Sequence, residues 1–251
     1  MTTVTTMTLD RWRALTDDQA RRFAGTVAER VGADGWTVER PADAPARALF
    51  RVGGQEFALV AGGTAELGFD PAAFRPPAAL AEAYERCGEF VEPSTDLVAY
   101  LTGVLSPRRT VRLPSFLMGV DALALPVGPG RRLPSPDEWE YACGAGARSL
   151  FRWGDTHPAT ADPFSTPDGP HRAANAFGLR IGRNPYQAEL TSDPGVLLGG
   201  DGGEATCGGY GSFRAWLPLA TAFREPYLAE LLGGDPADCS EEVLARPVIE
   251  L

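Results

Sequence analysis

Near the start of the chain, the hydrophobic positions follow a helical period. Between Thr16 and Gly32 apolar residues recur every three or four positions, which predicts an amphipathic helix. Thr16 and Gln19 form a capping box at its start, and Gly32 is suited to its end. The predicted apolar face contains Ala20, Phe23, Ala24, Val27 and Val31.

Shorter runs of apolar and β-branched residues, bounded by turn-forming residues, predict strands in the remainder of the chain. The Pro and Asp residues of positions 41–45 predict a turn between the first two. The predicted elements are strands at 36–40, 48–52 and 56–60, a helix at 78–87, and a final strand at 242–251 with Pro247 at an edge.

This mixture of helices and short strands predicts an α+β fold. No internal repeat or long linker interrupts the sequence, so we predict a single domain over residues 1–251. Residues 1–55 are expected to supply an N-terminal helix and strands that pack on the core. A solvent-exposed Trp12 or Phe23 would contradict that packing.

A second capped helix is predicted after Arg132. Ser135 is suited to the N-cap position, Pro136 to the first helical position, and Glu138 completes a capping box. Trp139, Ala142 and Cys143 then share one face, and Gly144 and Gly146 are expected to end the helix.

Composition narrows the possible functions. The chain has 251 residues, a formal net charge of −10, 29 Gly and 22 Pro, which favours many turns and disfavours a nucleic-acid partner. Its basic residues are all Arg, which excludes a Lys Schiff base and a Walker-type phosphate-binding Lys.

The sequence predicts a cytoplasmic protein without a membrane partner. The first residues have neither the basic nor the apolar region of a signal peptide, and no apolar run approaches the ~18 residues of a membrane span. The four cysteines, Cys87, Cys143, Cys207 and Cys239, show no metal-binding spacing, so reduced thiols are expected.

Four segments of the sequence resemble the formylglycine-generating enzyme (sulfatase-modifying factor) family. They are Arg-Leu-Pro-Ser-Pro-Asp-Glu-Trp-Glu-Tyr (132–141), Phe-Arg-Trp-Gly-Asp (151–155), Asn-Ala-Phe-Gly-Leu (175–179) and the Gly-rich run 201–214 around Cys207. The resemblance extends with gaps from Phe57 to Arg224, and it implies a strand over 106–116. It implies a divergent, loop-rich C-type-lectin-like fold with short antiparallel sheets.

The resemblance places an active-site thiol at Cys207, but the chain departs from the family there. Formylglycine-generating enzymes are expected to bind Cu(I) through two cysteines five positions apart, and here the second position is Ser212. A hydroxyl is a weak ligand for the soft Cu(I) ion. Copper is therefore not expected, unless the fold brings Cys87, Cys143 or Cys239 to Cys207.

Three functions remain open. The first is a non-oxidase member that binds a protein, peptide or small molecule on the loop surface around Cys207 and Glu204. The second is a copper- and O₂-dependent oxidase that acts on a thiol or peptide through Cys207. The third is a specialised-metabolism enzyme with Glu204 or Asp201 as a base in the same cleft. The candidate substrate-binding residues are Tyr210, Ser212, Arg214, Trp216 and Arg224, although pairing with an acidic neighbour is the commoner role for an arginine such as Arg224.

Metal sites are possible at two other places. Asn184 and Glu189 correspond to a family segment that helps to hold a structural Ca²⁺, and both offer oxygen ligands, although a plain loop with a capping Asn also explains them. His157 and His171 could form an iron site with Asp162 or Asp168. Because both histidines fall in Pro- and Asp-rich segments, surface-loop positions are favoured for them.

Overall fold

The computed structural model describes residues 4–41, 45–88, 96–224 and 243–251, and they form a mixed α+β structure with many ordered loops. Seven α-helices lie in these ranges: α1 (Leu9–Arg13), α2 (Asp17–Val31), α3 (Ala78–Glu85), α4 (Leu97–Val104), α5 (Pro136–Gly144), α6 (Glu204–Cys207) and α7 (Ser212–Trp216). The strands are β1 (Gly35–Glu39), β2 (Arg47–Val52), β3 (Gln55–Val60), β4 (Gly63–Leu67), β5 (Arg109–Leu113), β6 (Phe116–Gly119), β7 (Ala188–Leu190), β8 (Leu197–Leu198), β9 (Val243–Ala245) and β10 (Val248–Glu250).

The largest sheet has five antiparallel strands in the order β1-β2-β3-β6-β10. Residues of β3 alternate between its two faces, as the pleat of a strand requires. Ala58 and Val60 face the core that contains α5, whereas Phe57 and Leu59 face the core that contains α2. The sheet therefore lies between two helical layers.

Two smaller sheets complete the fold. β4 and β5 form an antiparallel pair, and the third sheet has the order β8-β7-β9. β7 runs antiparallel to β8 but parallel to β9. The predicted α+β class with short antiparallel sheets is confirmed, with this one parallel pair as an addition.

The two capped helices are confirmed. In α2 the Thr16–Gln19 capping box is present and Gly32 is the left-handed C-cap at φ 64°. In α5 the Ser135–Glu138 capping box is present with Pro136 at the first turn. The C-cap of α5 is Ala145 at φ 49°, however, and not one of the neighbouring glycines.

Two predicted strands are each divided. The 106–116 segment gives β5 and the start of β6, which belong to different sheets. The final segment gives β9 and β10, with Pro247 in the connection between them. Proline has no amide hydrogen to donate to a neighbouring strand. The chain leaves one sheet and enters the other next to this residue.

The N-terminal region packs on the outer face of the large sheet. Trp12 is buried, and its indole Nε1 donates to the Ala46 carbonyl oxygen at 2.7 Å. Phe23 is half-buried against the Trp12 ring, at 5.9 Å between centroids. The exposed aromatic residues that would contradict this packing are thus not observed.

A further core lies beside α7. Phe213 and Trp216 of α7 pack with Leu80 of α3 and Leu101 of α4. Helix α4 was not predicted from the sequence. Its Tyr100 ring contacts Phe213 of α7, at 5.9 Å between ring centroids.

Candidate functional site

Asp201 organises the turn that leads into α6. Its carboxylate accepts hydrogen bonds from the amides of Gly203 at 2.8 Å and Ala205 at 3.0 Å. Burial raises the pKa of Asp201, and these backbone hydrogen bonds oppose the rise. The side chain therefore fixes the backbone before α6, and its oxygens are already occupied.

Cys207 lies exposed at the last position of α6, beside a tyrosine that the sequence did not reveal. The Tyr186 hydroxyl is 3.2 Å from the Cys207 sulfur. The hydrogen bond to Cys207 raises the pKa of Tyr186. The ring also covers Gly203, where an added Cβ would lie 2.3 Å from the ring carbon Cδ1. Glycine at 203 thus permits the Tyr186–Cys207 contact.

The other described thiols are engaged elsewhere. Cys87 is buried and donates to the Ala83 carbonyl oxygen at 3.3 Å. Cys143 is buried as well, and desolvation raises its pKa to about 12. Cys239 lies outside the described residues. Among the described residues, the only polar contact of the Cys207 sulfur is with a hydroxyl, so a thiolate pair suited to Cu(I) is not formed there.

Cys87 nevertheless lies against the loop between Cys207 and Ser212. A Cβ at Gly211 would lie 2.7 Å from the Cys87 sulfur, so only glycine fits at this point. Ser212 then begins α7. The loop between Cys207 and Ser212 is therefore closed against a buried thiol that faces the backbone.

Glu204, Tyr210 and Arg214 remain near the surface. Glu204 is exposed in the first turn of α6. The Arg214 guanidinium lies over the Tyr210 ring at 5.2 Å and over the Tyr100 ring at 5.9 Å. An exposed carboxylate is a poor general base for a cleft reaction, which weakens the role expected for Glu204.

Trp216 is not a surface residue, which corrects the expectation from the sequence. Its side chain is fully buried, and its ring meets His171 edge to face at 5.0 Å. His157 stacks on the same ring, at 6.0 Å between centroids. The surface position expected for His171 is wrong too, because this imidazole is fully buried. The two histidines therefore pack against an indole, without forming an iron site with Asp162 or Asp168.

Arg224 is held in an ion network instead of facing a ligand. Its guanidinium forms a short ion pair with the buried carboxylate of Glu140. The same carboxylate accepts from Arg109 at 2.9 Å and from the Ser106 hydroxyl at 3.0 Å. Burial lowers the pKa of Arg224, and the charge of Glu140 opposes the shift. A structural role explains this geometry.

The residues expected to bind Ca²⁺ do not fit that ion. Both carboxylate oxygens of Glu189 accept from the buried Arg246 guanidinium, at 2.7 and 2.6 Å, and Trp139 Nε1 donates to one of them at 2.7 Å. The Asn184 side-chain oxygen caps the amide of Tyr186 at 3.1 Å. A guanidinium thus occupies the position of the expected cation. Across the described ranges, no three His, Cys, Asp or Glu side chains are grouped to hold a metal ion.

A groove of about 510 Å³ lies away from Cys207, along β4. One wall is the backbone from Gly62 to Gly68, and the opposite wall is the end of α5 with the following turn. Thr8, Leu9 and Asp10 of the N-terminal segment also line it. The side chains that line the groove include Leu9, Asp10, Ala65, Leu67, Tyr141, Ala147 and Arg148.

Comparison with protein-family models and with curated proteins found no match to this chain. In the part of the chain that the structure describes, no helix has both the length and the apolar character needed to cross a bilayer.

The sequence did not indicate the groove, because its walls come from segments that are far apart in the chain. Glu140 was missed for the same reason: Gly68, Ser106, Arg109 and Arg224 all donate to its carboxylate. The one sequence signal was its position in α5, next to Trp139 on a helix with two buried faces.

Proposed function

We propose that this chain is a binding protein, and that its ligand is an extended peptide that pairs with the outer edge of β4. The proposal rests on one observation. Within the groove, the backbone of Thr64 and Glu66 faces outward without a backbone partner among the described residues. An open strand edge of this kind is a common site for peptide addition.

The alternation of backbone groups along a strand identifies which residues face outward. At the start of β4, the Gly62 amide donates to the Met7 carbonyl oxygen at 3.0 Å, and the Leu9 amide donates to the Gly62 carbonyl oxygen at 2.9 Å. At the other end, the Gly68 amide donates to Glu140, whereas the Phe69 amide donates back to the Ser106 carbonyl oxygen at 2.8 Å. The even-numbered positions therefore face the groove.

The edge has room for a short peptide. Six residue steps separate Gly62 from Gly68, which corresponds to about 20 Å in an extended strand. Both ends are already bonded, so a peptide of roughly four to six residues would fit between them. The parallel contact of Met7 and Leu9 with Gly62 shows that the chain itself begins such a pairing before it turns into α1.

The charges in the groove favour one orientation of the peptide. Asp10 lies at the Gly62 end, next to Leu9. Arg148 lies towards the other end, because it also lines the neighbouring cavity together with Phe69 and Asp70, just beyond Gly68. We therefore assign a basic residue of the peptide to the Gly62 end and an acidic residue to the Arg148 end.

For the scaffold, we propose a divergent C-type-lectin-like fold of the formylglycine-generating type. Support comes from the family-like segments of the sequence and from the capped helix α5 that one of them forms. A second family-like segment, around Asn175, packs on that helix, since the Asn175 side-chain amide donates to the Ala142 carbonyl oxygen at 2.6 Å. In this scaffold, binding can persist after catalysis is lost, because function depends on the site and not on the fold.

The competing function is a copper-dependent oxidase centred on Cys207. The observation in its favour is the exposed thiol with a tyrosine hydroxyl at 3.2 Å. Titration of the purified protein with Cu(I) distinguishes the two functions. Tight one-to-one uptake that Cys207→Ala abolishes would support the oxidase, whereas we expect only weak binding.

The first prediction concerns the peptide itself. The purified protein is used to select binders from a random heptapeptide display library, and a selected peptide is synthesised for fluorescence-polarisation measurements. N-methylation of alternate residues removes the amides on one side of the peptide. Because only one side pairs with β4, we expect one alternate set to weaken binding by about tenfold or more and the other set to leave it unchanged.

Two variants locate the binding in the groove. Ala147→Trp fills the groove from an exposed position and should abolish binding without a change in melting temperature. Ala72→Trp, which is exposed outside the groove, is the matched control and should bind normally. Failure to select any peptide, or a peptide that binds Ala147→Trp as well as the native chain, would refute the proposal.

A further inference from the structure

A second cavity, of about 190 Å³, lies between the end of β6, the loop that contains Arg180 and Arg183, and β9. Four arginines line it, together with two carboxylates. Asn184 and Gln187 add side-chain amides to its wall. This concentration of guanidinium groups contrasts with a chain whose formal net charge is −10.

Two of the arginines are fully paired. Arg180 binds Asp121 through Nε at 2.7 Å and through a second, short contact to the other carboxylate oxygen. Arg246 binds both oxygens of Glu189. Each pair is neutral overall, so neither carboxylate is available to balance the other two arginines.

Arg172 and Arg183 supply the excess positive charge. Among the described residues, the Arg172 guanidinium has no ion pair or side-chain hydrogen bond. Arg183 approaches Asp121 only at 3.8 Å, and its buried Nε has no hydrogen-bond partner in the described part of the chain. An unpaired buried donor is costly, which marks this atom as one that a ligand would satisfy.

The charges around Arg183 also favour a bound anion. Its pKa is lowered chiefly by burial, and the charges of Arg172, Arg180 and Arg246 add to the lowering, while Asp121 opposes it. The arginines thus repel one another across the cavity. A bound anion would relieve that repulsion, and it would be held more strongly in a partly buried site than at an open surface.

We propose that this cavity binds a small dianion, either a phosphate group or a dicarboxylate, between Arg172 and Arg183. Two unbalanced guanidinium groups match a charge of −2. Arginine binds the oxygens of both ligand types through paired N–H donors. The cavity volume is several times the roughly 30 Å³ that a water molecule occupies in the liquid, so it admits a group of this size.

The site is distinct from the groove beside β4. It shares no lining residue with that groove, and neither site needs the other to be occupied. The sequence suggested a cation, Ca²⁺, at Asn184 and Glu189, and both residues line this cavity. Because Arg246 neutralises the Glu189 carboxylate, an anion is expected there instead.

Calorimetric titration of the full chain with inorganic phosphate, and separately with succinate, tests the proposal. We expect saturable one-to-one binding of at least one of them, weakened by added NaCl because the attraction is ionic. Arg172→Gln and Arg183→Gln should each weaken binding by about tenfold or more, since each removes a charge-assisted contact. The stronger of the two ligands identifies the anion class.

Arg21→Gln is the matched control. It removes the same charge from the exposed face of α2, far from the cavity, and should bind as the native chain does. Thermal melting of each variant without ligand separates loss of binding from loss of folding. The proposal is wrong if neither anion binds at millimolar concentration, or if the cavity variants bind as tightly as Arg21→Gln.

Discussion

His171 shows how strongly a local environment can alter one side chain. Its imidazole is enclosed by Trp216 at 5.0 Å and Trp153 at 6.4 Å. Desolvation lowers its pKa from the ordinary 6.5 to about 4, and the charges of neighbouring arginines contribute to the shift. The ring is therefore neutral in the folded chain at pH 5, whereas it would be protonated in the unfolded chain.

This difference predicts a pH dependence of stability. The unfolded state binds more protons than the folded state between pH 6.5 and about 4, so the stabilising contribution is complete above the unfolded pKa and is lost as pH falls through this range. We expect the free energy of unfolding to decrease by at most about 3 kcal/mol over this range from His171 alone. Urea unfolding at pH 7 and pH 5 measures the upper part of this loss, which is at most about 2 kcal/mol.

His171→Gln provides the comparison. Without the ionisable ring, the variant should lose less stability than the native chain between pH 7 and pH 5, whatever its stability at pH 7. An equal loss in the two proteins would show that His171 is already protonated or solvated in the fold.

The residues around His171 in the chain did not indicate this environment. His171 follows Asp168, Gly169 and Pro170, a composition typical of exposed loops. Its burial depends on Trp216, which is far along the chain and was itself expected at the surface. Burial of a loop residue cannot be inferred when the covering residue comes from a distant segment.

Among the elements, the capped helices were the most predictable. α2 and α5 both begin with a capping box, and both boxes form as expected. The boxes differ in surroundings. Gln19 is exposed, whereas Glu138 is buried and also accepts from Arg132 at 2.7 Å on both oxygens.

The difference predicts unequal costs for the same substitution. Gln19→Ala should reduce the free energy of unfolding by about 0.5 kcal/mol, as expected for loss of one exposed cap contact. Glu138→Ala should cost about 2–3 kcal/mol, because the Ser135 amide loses its partner and Arg132 keeps only Glu250 and the Leu133 carbonyl oxygen as acceptors. Chemical denaturation of the two variants provides the measurement, and similar costs would contradict this account.

The arrangement of the strands was less predictable than their existence. The strands at 36–40, 48–52 and 56–60 were expected, and β1, β2 and β3 occupy nearly the same residues. The pairing of β6 with both β3 and β10 was not expected, nor was the parallel pairing of β7 with β9. Local patterns define a strand, but its neighbour depends on contacts between distant residues.

At the scale of the whole molecule, Arg246 connects the two larger sheets. It lies between β9 and β10, is almost fully buried, and binds Glu189 of β7. The same guanidinium donates to the Gly119 and Val120 carbonyl oxygens, at 2.7 and 2.8 Å, where β6 ends. One side chain thus holds the ends of several elements together.

Removal of this guanidinium should destabilise the entire fold. We expect Arg246→Met to reduce the free energy of unfolding by about 3–5 kcal/mol, because Glu189 would remain buried without a counter-ion. The double variant Arg246→Met/Glu189→Gln should lose less than the sum of the single losses, since the two residues act on each other. Urea denaturation of the three variants measures the coupling.

Addition of calcium tests independently whether Arg246 neutralises Glu189. Because Arg246 already neutralises Glu189, neither a chelator nor millimolar Ca²⁺ should change the melting temperature of the native chain. A clear stabilisation by Ca²⁺ would show that the sequence-based assignment of Asn184 and Glu189 was right.

The candidate site was predicted only in part for the same long-range reason. The sequence located an isolated thiol, Cys207, with Ser212 in place of a second one. It could not reveal Tyr186 beside that thiol, the groove along β4, or the four arginines of the smaller cavity. Each of these depends on which loops meet, and a single sequence does not encode that in any local pattern.

The open part of β4 is short, and this length limits aggregation of the protein at high concentration. A long unprotected ladder would invite copies of the chain to stack on one another. Here Gly62 is already joined to Met7 and Leu9, and Gly68 to Glu140, so only the stretch around Thr64 and Glu66 remains available. The open edge is therefore long enough to bind a short peptide but too short to pair extensively with other copies of the chain in a fibril.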